Sequence, residues 1–302
     1  YVLAMLFFSR AEVVVDFYVA RLIQGVGAAL MWVTARTIIA DVTEDGGAGQ
    51  EMGRLTQAGA RGMMFGGFWG FTLVGMMPMQ QAWAIAFVGY AFAALVGMLV
   101  AAWRSAETRP AQPDSLIPVG EVPARLYRLL PIVVVSSFAS GLIGPIYLIY
   151  LQDKFSVHIL VLALAFVPGV IVMATLPAYA GRLSDRFGRI PLMMLGVLSA
   201  AGLSVALPSV ASIGWLALMY TLFFAGLAMA EPAEAAMVAD LAGPHQRGRI
   251  YGLYEFAASI GAATGPLIGG FVYENVGRTM PFYMNGALLL LAASLIWILL
   301  RK

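Results

Sequence analysis

Apolar residues run through this chain in blocks long enough to cross hydrocarbon, about 20 residues each, separated by short polar breaks. The pattern predicts a half span at 1–8 and whole spans near 17–40, 54–78, 81–103, 129–151, 157–180, 190–209, 213–238, 249–273 and 279–300. Within the blocks the apolar character is nearly continuous rather than two-residue alternating, so each reads as a helix surrounded by lipid or by other helices. One longer polar stretch, with Arg104, Glu107, Arg109, Pro110, Pro113, Asp114, Pro118 and Glu121, interrupts the pattern. The expected fold is an all-α polytopic membrane protein, with helices over residues 1–103, a linker over 104–128 and a second set over 129–302.

The two sets are related. At an offset of 199, Gly27, Ala29, Ala40, Asp41, Gly53, Ala58, Gly62, Gly66 and Gly70 fall on Gly226, Ala228, Ala239, Asp240, Gly252, Ala257, Gly261, Gly265 and Gly269, without a gap. Matches at helix-packing spacing point to two homologous bundles, the architecture of secondary transporters, which hold their solute between the repeats. At the same offset residues 129–189 have no counterpart, and the chain begins with Tyr1 rather than Met. The expectation is a first bundle that lacks about two and a half helices, running from late span three of a twelve-span parent, and that does not transport by itself.

Composition narrows the class. The chain is 61% hydrophobic and 11% charged, against about 25% charged for soluble domains. With the C-terminus placed in the cytoplasm, one side of the membrane carries Arg54, Arg104, Arg109, Arg125, Arg128, Arg182, Arg186, Arg189, Arg247, Arg249, Arg301 and Lys302. The other side carries Arg10, Lys154 and Arg278. That bias alternates loop by loop, as the positive-inside rule requires. The basic residues are scattered, so the net charge of +2 gives no nucleic-acid surface, and the excess of Arg over Lys fits a bacterial genome rich in GC. There is no Cys, no G-x-x-x-x-G-K-[ST] for ATP and no metal spacing around His158 and His245. No cofactor is expected. The expected partners are a small-molecule solute, protons and the lipid bilayer, with the chain a monomer in the inner (cytoplasmic) membrane.

Three motifs carry a family resemblance. Gly181-Arg182-Leu183-Ser184-Asp185-Arg186-Phe187-Gly188-Arg189 resembles the cytoplasmic loop signature of the major facilitator superfamily, G-x-x-x-D-R-x-G-R. Gly181 and Gly188 would permit a φ > 0 turn between antiparallel helices, and Asp185 could accept hydrogen bonds at a helix N-terminus and pair with the arginines. The alternative is a positive-inside turn with no further role. Arg21-x-x-Gln24-Gly25-x-Gly27-Ala28-Ala29 is similar to a second signature of the family, which implies a part for Arg21 in proton coupling or interdomain contacts; snorkelling to the outer boundary is the alternative. The series Gly252, Gly261, Gly265, Pro266, Gly269 and Gly270 looks like the antiporter signature, but in the wrong half. The equivalent segment has Gly67 in place of the proline and Phe71 in place of the last glycine. Close helix packing with a proline kink accounts for that series as well.

Ionisable groups inside spans cost roughly 2.5–3.5 kcal/mol each on insertion scales, so each needs a reason. Arg36 and Glu255 lie near enough to an end to reach water, whereas Arg61 sits about 12 Å inside its span at 1.5 Å per residue. The strongest candidate is Glu231-Pro232-Ala233-Glu234. At 100° per residue Tyr220, Phe224, Glu231 and Glu234 share a stripe, Pro232 frees a carbonyl and loosens the helix, and a buried carboxylate can exchange protons near neutral pH. The alternative is a structural pair between Glu231 and Arg61. The family's habit of lining its path with spans one, four, seven and ten implies Gln24, Trp32 and Tyr147 as further cavity residues. These observations together give a secondary transporter working by alternating access, with proton-coupled efflux of drug-like compounds as the expected activity. The alternatives are an uptake symporter or facilitator for a sugar or organic acid and, from another class, a polytopic membrane enzyme or a non-transporting sensor.

Overall fold

The computed structural model describes residues 1–43, 47–104, 122–157, 159–242 and 246–300, with the side chains of 159 and 160 left aside. Most of the linker expected over 104–128 lies outside the described residues, as do His158, His245, Arg301 and Lys302. Among the described residues there are eleven α-helices: α1 Val2–Ser9, α2 Val14–Val42, α3 Ala48–Met76, α4 Met79–Arg104, α5 Ala124–Phe155, α6 Ile159–Thr175, α7 Pro177–Phe187, α8 Arg189–Ala206, α9 Ile213–Leu241, α10 Arg247–Asn275 and α11 Met280–Leu295. A 3-10 turn (Leu207–Ser209) ends α8, and a π segment (Ile296–Leu300) continues α11.

The duplication reappears in the helix limits. Both limits of α2 recur in α9, and both limits of α3 recur in α10, each displaced by 199 residues, and all four helices are 29 residues long. Local chemistry sets the starts. In α2 the Asp16 carboxylate, in the first turn, reaches back to accept the backbone N–H groups of Glu12 and Val13 at 3.0 and 3.2 Å, and before α9 the Ser212 hydroxyl accepts that of Trp215 at 3.3 Å, the N-cap device that relieves orphan donors.

Seven of these helices are long and apolar enough to cross a membrane, or eight if the bent pair α6–α7 counts as one span. The span expected at 157–180 is thus broken, with a 53° bend. Pro177 cannot donate to the carbonyl four residues back, and its ring opens a new helix at N1. Helix α3 falls outside the apolar set because Gln50, Glu51, Arg54, Gln57 and Arg61 punctuate it.

The chain divides into two compact units: Tyr1–Val42 with Arg61–Leu116, and Thr43–Ala60 with Ile117–Lys302. Helix α3 therefore contributes to both. In the first unit, α1 buries Ala4, Met5 and Phe8 against Ala20 and Ala91. Phe8, Phe17, Trp83, Phe87 and Tyr90 form a chain of ring contacts there. Its polar tips are satisfied, with Trp83 Nε1 donating to the Phe8 carbonyl and the Tyr90 hydroxyl to that of Gly66, each at 2.8 Å.

The second unit is held by glycine-mediated approach. A Cβ at Gly261 would come within 2.5 Å of the Val134 carbonyl oxygen and one at Gly265 within 2.5 Å of that of Phe138, so α10 lies backbone to backbone on α5. Gly269 meets Leu142, and Pro266 packs beside Gly141. Residues four apart stack on one helix face, and small side chains on it let helices approach closely in lipid. Elsewhere Lys154, at the end of α5, donates to the carbonyls of Leu207 and Pro208. Buried Asn285 accepts from the Ser204 hydroxyl at 2.7 Å and donates to the Ala139 carbonyl, joining α11, α8 and α5.

Candidate functional site

The loop between α7 and α8 ends in a helix-capping cluster. Gly188 has φ +93° and makes the turn; its N–H donates to the Ser184 carbonyl at 3.0 Å. The expected φ > 0 at Gly181 does not occur, because Gly181 sits inside α7. Its glycine identity answers a different demand: a Cβ there would overlap the Gly49 carbonyl, and one at Gly49 would lie 2.5 Å from the Gly181 carbonyl oxygen.

That approach sets the first turn of α3 directly on Asp185. The backbone N–H groups of Gly49 and Gln50 donate to Asp185 Oδ1 and Oδ2 at 2.9 and 3.0 Å. A carboxylate at the positive end of a helix, accepting two N–H groups that have no partner within the helix, gains from both the hydrogen bonds and the macrodipole. Arg189 completes the cluster, with Nη1 2.5 Å from Asp185 Oδ1 and Nε 2.9 Å from Asp240 Oδ2. The Asp185 and Arg189 side chains are 9% and 12% exposed, so water screens little of this charge pairing. Arg186 is exposed and takes no part in the cluster. Two further contacts link α3 to the same region. Arg182 Nε donates to Gln50 Oε1 at 3.1 Å, and Gln57 Nε2 donates to the carbonyls of Ala174 and Thr175 at the α6–α7 break, at 2.9 and 3.1 Å.

Helix α9 runs unbroken through Pro232. Tyr220 and Phe224 pack at 5.2 Å, and Tyr147 of α5 and Phe166 of α6 join Tyr220 at 5.4 and 4.4 Å. Further along, Glu234 is half-buried and accepts the Tyr254 hydroxyl at 2.8 Å. Glu231 is exposed between buried neighbours, Ala230 and Pro232. Glu231 is thus exposed, where the sequence predicts a buried carboxylate.

The first-unit candidates have local partners. Arg21 Nη1 donates to Gln24 Oε1 at 2.8 Å and its guanidinium lies 5.4 Å from the Phe8 ring centre. Trp32 takes the Arg36 guanidinium at 5.7 Å, and Arg61 is exposed. Residues that sequence reasoning passed over are Gly49, Gln50, Gln57, Asp240, Tyr254, Asn285 and Ser204. The repeat carried a signal for two of them, since Asp240 pairs with Asp41 at the offset of 199 and Gly49 with Gly248. Among the described residues no group of His, Cys, Asp and Glu could hold a metal ion.

Long apolar helices, two of them repeated in register, define a multi-pass membrane protein. The family model of the Major Facilitator Superfamily matches residues 129–302, and the chain belongs to that family of transporters. The multidrug resistance protein MdtH of Klebsiella pneumoniae is 31% identical over 132 residues, which cover 43% of this chain and 32% of that protein. MdtH of Yersinia pestis is 33% identical over 131 residues, with the same coverage, 43% and 32%. The matched part thus spans 32% of the length of either curated relative. Among solved structures, the human organic anion transporter MFSD10 superposes with a TM-score of 0.77 at 18% identity, covering 98% of this chain and 74% of its own. The proton:xylose symporter XylE gives 0.68 at 16% identity, covering 98% and 78%. At those identities the likeness is one of fold.

Proposed function

We propose that this protein exports small drug-like organic compounds in exchange for protons, by alternating access, in the bacterial cytoplasmic membrane with its C-terminus in the cytoplasm. The observation that carries the reading is helix α9, which aligns an aromatic cluster at Tyr220 and Phe224 with an exposed Glu231 beside a helix-loosening proline. The curated relatives, named as multidrug resistance proteins, support the choice of solute class. An ionisable residue within a span costs energy that function must justify; protonation removes the charge and with it that cost. In this reading Glu231 takes up the proton, Glu234 and Tyr254 steady the adjoining turn, and the Asp185 cluster holds the start of α3 against α7 in one of the two access states. Within the first unit, Arg21 with Gln24, Trp32 and Arg61 serve coupling and solute contact. Release of α3 from Asp185 accompanies the opposite access state.

The test is solute-induced proton release from acid-loaded, inside-out vesicles made from cells expressing the intact protein, read by dequenching of a pH-sensitive dye. Glu231→Gln is expected to cut release at least tenfold (about 1.4 kcal/mol or more in coupling) with the amount of protein in the membrane unchanged. Glu231→Asp should keep a measurable rate. Undiminished release in the Gln variant removes Glu231 from the proton path, and proton entry into the lumen (further quenching) when a sugar or organic acid is added outside, with no release by amphipathic drugs, replaces export with uptake.

A further inference from the structure

A pocket of about 240 Å³ opens within the second unit between α5, α8, α9 and α11. Its mouth is at Ser140 and Gly144, both exposed, and its floor is the buried Asn285–Ser204 pair. Tyr147, Tyr220 and Phe223 form an aromatic wall, with Tyr147–Tyr220 and Tyr220–Phe223 ring centres 5.4 and 5.6 Å apart. The pocket lies inside one helical bundle and is complete without any residue of the other unit.

Three properties define what fits. The volume falls below the 300–1,000 Å³ that holds a drug-sized ligand, so the pocket receives one ring and its substituent. No lining residue carries a charge, and a charged group moved from water into such a site finds nothing to offset its lost hydration. Finally, the Tyr147 hydroxyl is buried with the Tyr220 hydroxyl as its neighbour, and a pair of hydroxyls leaves one O–H donor without an acceptor. A buried donor of that kind gains when a ligand supplies an acceptor. Offset or tilted rings already line the wall, and a further ring adds to the same set of contacts.

From this we infer that the pocket is a subsite for an uncharged aromatic ring bearing a hydrogen-bond acceptor, which it holds between the Tyr147–Tyr220–Phe223 wall and the Asn285–Ser204 floor. The inference rests on the export reading in one respect: it names the part of the exported solute that the second bundle grips. Any charge on the solute stays outside the mouth, on the open side of Ser140 and Gly144.

The chain has no cysteine, so a single thiol at the mouth reports occupancy directly. In purified Ser140→Cys protein, alkylation by N-ethylmaleimide should slow at least threefold in saturating benzamide, a neutral aryl amide. Benzamidinium has nearly the same shape but a positive charge, and cyclohexanecarboxamide keeps the acceptor without the aromatic ring; neither should match benzamide. A thiol at Gly270→Cys, where the space beside the backbone is open, should react at the same rate with and without benzamide. Adding Tyr147→Phe should raise the half-protecting benzamide concentration about tenfold, the worth of one hydrogen bond in an enclosed site. Equal protection by all three compounds, or none by benzamide, overturns the subsite. The readout needs no gradient and no flux. Protection without solute-driven proton release therefore keeps the pocket and removes the exporter, and release without protection does the reverse.

Discussion

Asp185→Asn should release the start of α3 from α7 and shift the balance between docked and undocked forms by about 2–3 kcal/mol, roughly 30- to 150-fold. The carboxylate accepts from two backbone N–H groups, one on each oxygen, and sits at the positive end of a 29-residue helix. Asparagine keeps one acceptor, replaces the other with an amide whose hydrogens face an N–H donor, and removes the charge that the macrodipole favours. Arg189 Nη1 would lose its charged partner and keep the Ser184 hydroxyl, and Nε would keep Asp240. Spin labels at Arg54→Cys and Tyr179→Cys, both exposed positions, should show a single short distance in the parent and an added longer population in the variant. A distance distribution unchanged by Asp185→Asn would remove the capping role.

Gly265→Leu should cost the second unit about 3 kcal/mol or more, at the upper end of what overpacking does in a close-packed core. The first side-chain carbon alone would sit 2.5 Å from the Phe138 carbonyl oxygen and 2.8 Å from backbone atoms of Gly141 and Leu142. Those are main-chain atoms of a helix and cannot rotate aside, so α10 and α5 must separate along their length. Gly270→Leu is the matched control: same helix, same added side chain, nothing within 4 Å of the new Cβ. Thermal loss of the monodisperse form in detergent should come at a distinctly lower temperature for Gly265→Leu and within error of the parent for Gly270→Leu.

Much of this architecture is written in one dimension. Apolar block length sets the spans, because the bilayer sets the length, and the offset of 199 anticipates helices whose limits coincide to the residue. Less visible is where a helix begins when its first turns leave hydrocarbon. Helix α3 starts at Ala48, ahead of the expected 54, because Gln50 and Glu51 break the apolar pattern. Those early residues are the ones that meet α7. Pro177 stood in view as a helix breaker, yet the apolar run through it concealed the bend, since lipid-facing composition is blind to backbone direction. The carboxylate stripe on α9 follows from helical periodicity. What periodicity could not supply is which faces meet, so the Asn285–Ser204 floor and the Phe166 contact with Tyr220 had no signal beyond the residue types themselves.

In the proposed transport cycle α3 leaves α7 and rejoins it. Gln50 and Arg182 touch through their side chains in the docked form, so Gln50→Cys with Arg182→Cys, in the intact protein with any other thiol removed, can be bridged by a short bis-methanethiosulfonate linker. Solute-driven proton release in vesicles should stop when the bridge forms and return when a reductant opens it, while either single variant stays active under the same reagent. Continued release from protein that is fully bridged would contradict the account.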